Sequence, residues 1–195
     1  MKKKIFVTRR LLIENEEKLK DLFDVNLNKD DKIYSPQEII DGSKNYDGIL
    51  SSVSDPINAE TISKLSSSIK IIANGAVGFG NIDFKAARQR GIAVTNTPDV
   101  LTDATADIQI LLLLGASRKA YEGRLAAETQ NWKWSWDFLL GKQMSYKRLG
   151  IIGMGRIGRA VAKRAKSFNM EIHYHNRSKL KPDQEDGAIY HKELK

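Results

Sequence analysis

Short apolar runs alternate with longer amphipathic runs along the first hundred residues. The apolar runs have the length and β-branched content of strands, and the segments between them show helical spacing. Because such βα units repeat about every 20 residues, we expect a parallel sheet with right-handed crossovers. Residues 69–73 are nearly all apolar, which predicts a strand buried on both faces. The predicted strands are 4–8, 24–27, 47–50, 69–73 and 92–95, and the predicted helices are 14–23, 36–43, 58–65 and 83–90.

This rhythm stops at Asn96-Thr97-Pro98, where we place a hinge and a domain boundary, giving domains of residues 1–97 and 98–195. A long helix is predicted from Thr102 to about residue 121. It is apolar on several sides, so it should be buried between layers or against a second subunit. An aromatic loop with three tryptophans follows, and then a strand to residue 152, a glycine-rich turn, a helix to residue 168 and a strand at 170–174.

The glycine-rich turn reads Gly153-Met154-Gly155-Arg156-Ile157-Gly158, with a strand before it and a helix after it. This context is typical of a turn that holds a dinucleotide pyrophosphate at a helix N-terminus. The first glycine makes the tight turn, the second lets the backbone approach the phosphates, and the third allows close packing of helix on strand. We predict cofactor contacts from Gly153, Gly155, Arg156, Ile157 and Gly158.

Charge supports the same interpretation. The net charge is +8, and residues 142–195 contain 13 basic and 5 acidic side chains, which accounts for the whole excess. A basic segment can bind nucleic acid, but no helix-turn-helix or aromatic RNA-binding motif accompanies it. We therefore expect a polyanionic cofactor and no nucleic-acid partner. The alternative is that compensating acidic surface lies outside these residues.

The sequence contains no cysteine and no long apolar run, and both facts narrow the classes of protein to which it could belong. The chain has no cysteine, which excludes a disulfide framework and suits a reducing compartment. No apolar run reaches the roughly 18 residues of a membrane span, so we expect no membrane partner and a cytoplasmic location. No metal site is predicted.

Three further segments carry a family resemblance: residues 74–83, 90–98 and 101–107. Together with the glycine turn they resemble the D-isomer-specific 2-hydroxyacid dehydrogenases. The run 98–103 and the tryptophan loop most resemble the glyoxylate/hydroxypyruvate reductases. The resemblance implies an α/β fold in which a flavodoxin-like substrate domain with a parallel sheet precedes a Rossmann coenzyme domain. That second domain would be incomplete and truncated after its second strand. The implied activity is reduction of a small 2-oxo acid to the D-2-hydroxy acid with NAD(P)H.

The resemblance also implies roles for particular residues. Val77 and Gly78 match a loop whose backbone amides hold the substrate carboxylate, although its glycines could serve turn geometry alone. Thr105 matches a position near the nicotinamide, although a threonine there could make only local hydrogen bonds. Helix 102–121 and the tryptophan loop resemble segments that form a homodimer, with burial inside one chain as the alternative.

The end of the second coenzyme strand predicts the choice of cofactor. A carboxylate there would accept hydrogen bonds from the ribose of NAD, but residues 174–182 contain no acid before Asp183. Arg177 can instead bind a 2′-phosphate bidentately, and Ser178 can donate a hydrogen bond to it. We therefore expect NADP(H) to be preferred, with NAD(H) possible.

The family's catalytic arginine, acid and histidine lie downstream of this strand. The three histidines here are His173, His175 and His191, and none matches the family's proton donor, so we assign no catalytic residue. One hypothesis is that the chain is the N-terminal part of a reductase, inactive by itself. The other is a non-catalytic dinucleotide-binding or corepressor-like module. Phosphoglycerate and lactate dehydrogenases remain alternatives for the substrate.

Overall fold

The computed structural model describes residues 1–194 and consists of two units, Met1–Pro98 and a second that begins at Asp99. Each unit contains one parallel sheet with helices packed on it. The expected α/β class is therefore confirmed.

The first unit holds a five-stranded parallel sheet in the order β2-β1-β3-β4-β5. This is the flavodoxin-like strand order. Three strands, β1, β2 and β5, fall within the predicted runs, whereas β3 and β4 each extend one residue beyond theirs, to Ser51 and Asn74. The strands are β1 Lys4–Val7, β2 Asp24–Asn26, β3 Gly48–Ser51, β4 Ile71–Asn74 and β5 Ala93–Thr95, and the helices are α1 Ile13–Leu22, α2 Pro36–Gly42, α3 Ala59–Lys64 and α4 Phe84–Gln89.

Isoleucines dominate the core of this first unit. Ile49 on β3 and Ile72 on β4 are completely buried, together with Ile39 from α2 and Ile62 from α3. The prediction that β4 is buried on both faces holds only in part, because Ile72 and Asn74 are buried while Ile71 and Ala73 are half-buried. The sheet and its helices thus enclose a core formed by the unit's own side chains.

The second unit holds a three-stranded parallel sheet in the order β6-β7-β8. In sequence order its strands and helices alternate after an initial pair of helices. They are α5 Thr102–Ser117, α6 Ala120–Thr129, β6 Arg148–Ile152, α7 Arg156–Lys166, β7 Glu171–His175, α8 Pro182–Glu185 and β8 Ile189–Tyr190.

Two expectations for this unit are corrected. The single helix over 102–121 is wrong, because the chain breaks at Lys119, whose φ of 53° is left-handed. There Lys142 returns to donate its backbone N–H to the carbonyl of Ser117 at 2.7 Å, which satisfies the end of α5. The sheet also continues past its second strand into β8, a strand of two residues and so too short for any alternation to reveal.

One face of the second sheet is well covered. Ile172 and Tyr174 are buried there among residues of α5 and α7, and Arg164 on α7 binds Asp107 and Asp103 on α5 at 2.6 and 3.0 Å. The opposite face presents Gly150, Ile152 and His173 to an open cavity. Across residues 1–194, no helix is both long and apolar enough to cross a membrane.

Candidate functional site

The glycine turn lies between β6 and α7. Each of its three glycines is explained by a different structural feature. Gly153 adopts a φ of 96°, which L side chains rarely adopt. A Cβ on Gly158 would lie 2.3 Å from the carbonyl oxygen of Gly153, so only glycine allows this contact. A Cβ on Gly155 would meet no protein atom within 4 Å. The space beside Gly155 is therefore open to a ligand, which fits the role expected for the second glycine.

The N-terminus of α7 is electrostatically suited to an anion. Gly155 is its N-cap, and neither a capping side chain nor an acidic residue is present in its first turn. The first amides of a helix lack intrahelical partners and carry a partial positive charge. Arg156 adds a guanidinium, which here pairs with Asp99 at 2.7 Å. Both side chains of that pair are more than half exposed, so the pair is weak and leaves Arg156 available to a phosphate.

Asn176, which the sequence reasoning did not single out, holds the turn in place. Its Oδ1 accepts the backbone N–H of Met154 at 2.7 Å, next to a bond from the N–H of Gly153 to the carbonyl of His175 at 2.9 Å. Because Met154 donates, the bond also fixes which end of the Asn176 amide faces the turn. The sequence signal that could have pointed to Asn176 is its position about 20 residues after the glycines, where a ribose-binding residue is expected.

Arg177 and Ser178 follow Asn176 just beyond β7. Both side chains are exposed, and neither makes a hydrogen bond or ion pair with the described part of the chain. The structure thus brings the glycine turn, Asn176, Arg177 and Ser178 together at the carboxyl ends of β6 and β7. Thr105 lies in the first turn of α5, where its backbone N–H donates to the carbonyl of Leu101 at 2.9 Å.

A second candidate site lies in the first unit, in the loop after β4. Three consecutive carbonyls of this loop accept hydrogen bonds. Asn74 donates to Gly78 at 2.8 Å, Asn96 donates to Val77 at 2.9 Å, and the amide of Thr97 donates to Ala76 at 3.0 Å. The amides of Val77 and Gly78 make no hydrogen bond within residues 1–194. Peptide N–H groups presented in this way can bind an anion. The sequence pattern did not reveal the contributions of Asn74 and Asn96.

The neighbouring loop after β3 is anchored by a buried carboxylate. Asp55 is fully buried and its Oδ2 accepts Thr8 Oγ1 at 2.5 Å and the N–H of Ser52 at 2.6 Å. Nearby, Arg9 donates to Ser54 at 2.9 Å and pairs with Asp31. The hydrogen bonds that Asp31 accepts, first from the Arg9 side chain and then from the Arg10 backbone, hold the pKa of Asp31 well below the usual range. These contacts tie the end of β1 to the loop after β3.

The three histidines lie near one another on the second sheet. His175 directly precedes Asn176, and only its backbone carbonyl contacts the glycine turn. Among the described residues, no group of three or more His, Cys, Asp and Glu side chains is arranged to hold a metal ion.

Comparison with known proteins gives a consistent result. The family model for the catalytic domain of D-isomer specific 2-hydroxyacid dehydrogenases matches residues 5–176. A glyoxylate reductase of Korarchaeum cryptofilum is 42% identical over 178 residues, which cover 90% of this chain and 53% of that protein. A glycerate dehydrogenase of Hyphomicrobium methylovorum is 38% identical over 174 residues, 89% of this chain and 54% of that protein.

The solved structure of a glyoxylate reductase from Paecilomyes thermophila superposes with a TM-score of 0.82 at 35% identity, covering 97% of this chain and 60% of that one. The chain thus spans about half the length of the curated relatives it matches. Since the family model covers most of the sequence and the fold agrees, this chain belongs to the D-isomer specific 2-hydroxyacid dehydrogenase family.

Proposed function

We propose that this chain supplies the cofactor turn and the substrate-carboxylate loop of an oxidoreductase that acts on a small 2-oxo acid. The substrate would be of the glyoxylate or hydroxypyruvate type, the product its D-2-hydroxy acid, and NADPH the preferred cofactor. The names of the relatives, glyoxylate reductase and glycerate dehydrogenase, support the substrate class. The observation that carries the proposal is the glycine turn, which leaves open space at Gly155 in front of an uncapped helix.

In this proposal the residues of this chain bind and orient the cofactor and the substrate. When bound, the reduced nicotinamide supplies a hydride. The amides at the start of α7, with Arg156, hold the pyrophosphate, and the amides of Val77 and Gly78 hold the substrate carboxylate. Thr105 lies near the nicotinamide end. No proton donor is assigned here, so the 195-residue chain should bind NADPH but show no turnover of glyoxylate with either cofactor. Measurable turnover would contradict this assignment.

The preference for NADPH rests on the groups just beyond β7. A 2′-phosphate carries close to two negative charges, and a carboxylate at this position would repel it. The chain instead places an uncharged amide, a guanidinium and a hydroxyl there, at Asn176, Arg177 and Ser178. Arginine binds phosphate bidentately, and such charge-assisted hydrogen bonds are stronger than neutral ones.

Binding of NADPH and NADH to the 195-residue chain tests this preference, measured by isothermal titration calorimetry at one salt concentration. We expect NADPH to bind at least tenfold more tightly. Arg177→Ala should weaken NADPH about tenfold or more, because a hydrogen bond to a charged group is lost, and should leave NADH within about twofold. Arg88→Ala, an exposed arginine on α4, is the matched charge control. Equal or tighter binding of NADH would overturn the proposal.

Asn176 offers a second, isosteric test. Aspartate at this position can still accept the N–H of Met154, so the turn should keep its geometry. Its other oxygen would replace the amide NH₂ with a negative charge, which favours ribose hydroxyls and repels a 2′-phosphate. Asn176→Asp should therefore reverse the order of the two affinities without changing thermal stability. A loss of both affinities together would show that Asn176 acts only on the turn.

We also propose that the protein is a homodimer through the segment 102–121 and the tryptophan loop. The supporting observation is apolar exposure: Leu111, Leu112 and Tyr121 are well exposed, and Trp136 is 90% exposed. Analytical ultracentrifugation of the chain should give a dimer, and Leu112→Lys should dissociate it. If the native chain and Leu112→Lys both sediment as monomers at every concentration of a 100-fold dilution series, the proposal is contradicted.

A further inference from the structure

All three histidines of the chain line one open cavity of about 580 Å³ on the second sheet. His173 and His175 are two residues apart on β7 and so share a face of the sheet. His191 follows β8, which pairs with β7 in the register His173 to Ile189 and Tyr174 to Tyr190. The cofactor turn and the carboxylate loop use none of their side chains. Since the chain has no cysteine, this is the one place where its imidazole or thiol ligands gather.

Two of these rings face each other directly. Nδ1 of His173 lies 2.8 Å from Nε2 of His191, and Nε2 of His173 is hydrogen-bonded to the carboxylate of Glu171. A carboxylate accepts, so it keeps the proton on Nε2 and leaves the lone pair of Nδ1 directed at His191. Proteins orient metal-binding histidines with this carboxylate–imidazole pairing.

The distance between the two nitrogens indicates which metals fit. Imidazole nitrogens bind metals at about 2.0 to 2.1 Å, so two of them lie about 2.9 Å apart at a right angle and about 3.4 Å apart in a tetrahedron. The observed 2.8 Å is the length of a hydrogen bond between the two rings, and it is also close to the spacing of neighbouring positions around a square-planar or octahedral ion. Cu²⁺ and Ni²⁺ prefer these geometries with nitrogen ligands, whereas structural zinc is tetrahedral.

We propose that His173 and His191 form a two-histidine site for Cu²⁺ or Ni²⁺, with Glu171 orienting His173. No third side chain converges on this pair in residues 1–194, so solvent fills the remaining positions. In this hydrogen bond Nε2 of His191 is the donor, so binding needs that proton to move to Nδ1 of the same ring. The exposed His191 ring must also rotate, so that both lone pairs point at the ion. His175 is a positional control, because its Nδ1 contacts the backbone carbonyl of His191 at 3.0 Å rather than a second imidazole.

The ion would join β7 to the segment that follows β8. A ligand that binds only the folded state stabilises it in proportion to the logarithm of its concentration above Kd. The metal should therefore raise the melting temperature of the chain and protect the amides of β8, a strand of two residues, from hydrogen exchange.

Calorimetric titration of the tag-free 195-residue chain with NiCl₂ and then CuCl₂ tests the site. We expect one ion per chain and tighter binding of Cu²⁺ than of Ni²⁺. His173→Gln and His191→Gln should each weaken binding tenfold or more, Glu171→Gln about tenfold, and His175→Gln less than threefold. Circular dichroism and unchanged NADPH affinity confirm that each variant is folded.

Electron paramagnetic resonance of the Cu²⁺ complex counts the ligands independently of affinity. Two imidazole nitrogens in the spectrum, and one after His191→Gln, would support the site. Three outcomes would overturn it: no binding to the folded chain, equal binding by the His173→Gln/His191→Gln double variant, or a loss with His175→Gln as large as with His191→Gln.

Discussion

The two units differ in how their helices begin and in how fully their sheets are covered. In the first unit, three of the four helices begin with a side-chain cap, from Ser35, Asn58 and Asp83. In the second unit none of α5, α6, α7 and α8 has one. The first sheet encloses an isoleucine core, whereas Ile152 on β6 is 74% exposed. The unit with uncapped helices and an open sheet face is the one that contains the proposed cofactor, dimer and metal surfaces, whereas the first unit leaves open the amides of Val77 and Gly78.

The largest expected effect separates the two sheets. Ile72→Ala should reduce the free energy of unfolding by about 2–5 kcal/mol, because Ile72 is fully buried and its removal leaves a cavity. Ile152→Ala should change it by no more than about 0.5 kcal/mol. Urea unfolding followed by circular dichroism measures both, and the three tryptophans, all in the second unit, report that unit separately. Similar losses at both positions would mean that Ile152 is covered in solution.

A smaller contrast lies inside the glycine turn. Gly158→Ala should cost about 1–3 kcal/mol, because its Cβ would overlap the carbonyl of Gly153 and force the backbone to move. Gly155→Ala should leave stability unchanged, since its Cβ meets no protein atom within 4 Å. It should nevertheless weaken NADPH tenfold or more, because the methyl group occupies the approach of the pyrophosphate.

Gly150→Ala on β6 is the matched control for this pair, since its Cβ also meets no protein atom within 4 Å. It should alter neither stability nor NADPH binding. If Gly155→Ala binds NADPH normally, the open space beside that residue does not receive the cofactor, and the proposed site must be abandoned.

Local sequence patterns were sufficient to predict the first sheet, because short apolar runs alternate there with longer amphipathic runs about every 20 residues. They were insufficient where structure depends on distant residues. The break at Lys119 is stabilised by Lys142, and the loop at Val77 is held by Asn96, 19 residues away. The glycine turn could be predicted because its function imposes a backbone motif. The spacing after the glycines marks the position of Asn176, but its contact with the amide of Met154 could not be predicted, because it joins residues at the ends of two different strands.

The smallest expected effect concerns the two kinds of helix N-terminus. Glu38 completes a capping box with Ser35 on α2 and pairs with Lys32, and these bonds, Lys32 first, lower its pKa to about 2 from 4.5. A depressed carboxyl pKa stabilises the fold above the unfolded value, and this stabilisation is lost as the pH falls from about 4.5 to about 2. Glu38→Gln keeps an acceptor for the N–H of Ser35 but removes the charge.

The urea midpoint of the native chain should therefore exceed that of Glu38→Gln at neutral pH, and the two should converge as the pH approaches 2. Glu122→Gln, in the first turn of α6, supplies the control, because Glu122 is exposed and bonds to no other described side chain. A difference for Glu38→Gln that does not change with pH would mean that the box acts through geometry alone. The charge on Glu38 would then contribute nothing to α2, and the contrast with the uncapped start of α7 would rest on hydrogen bonds rather than on electrostatics.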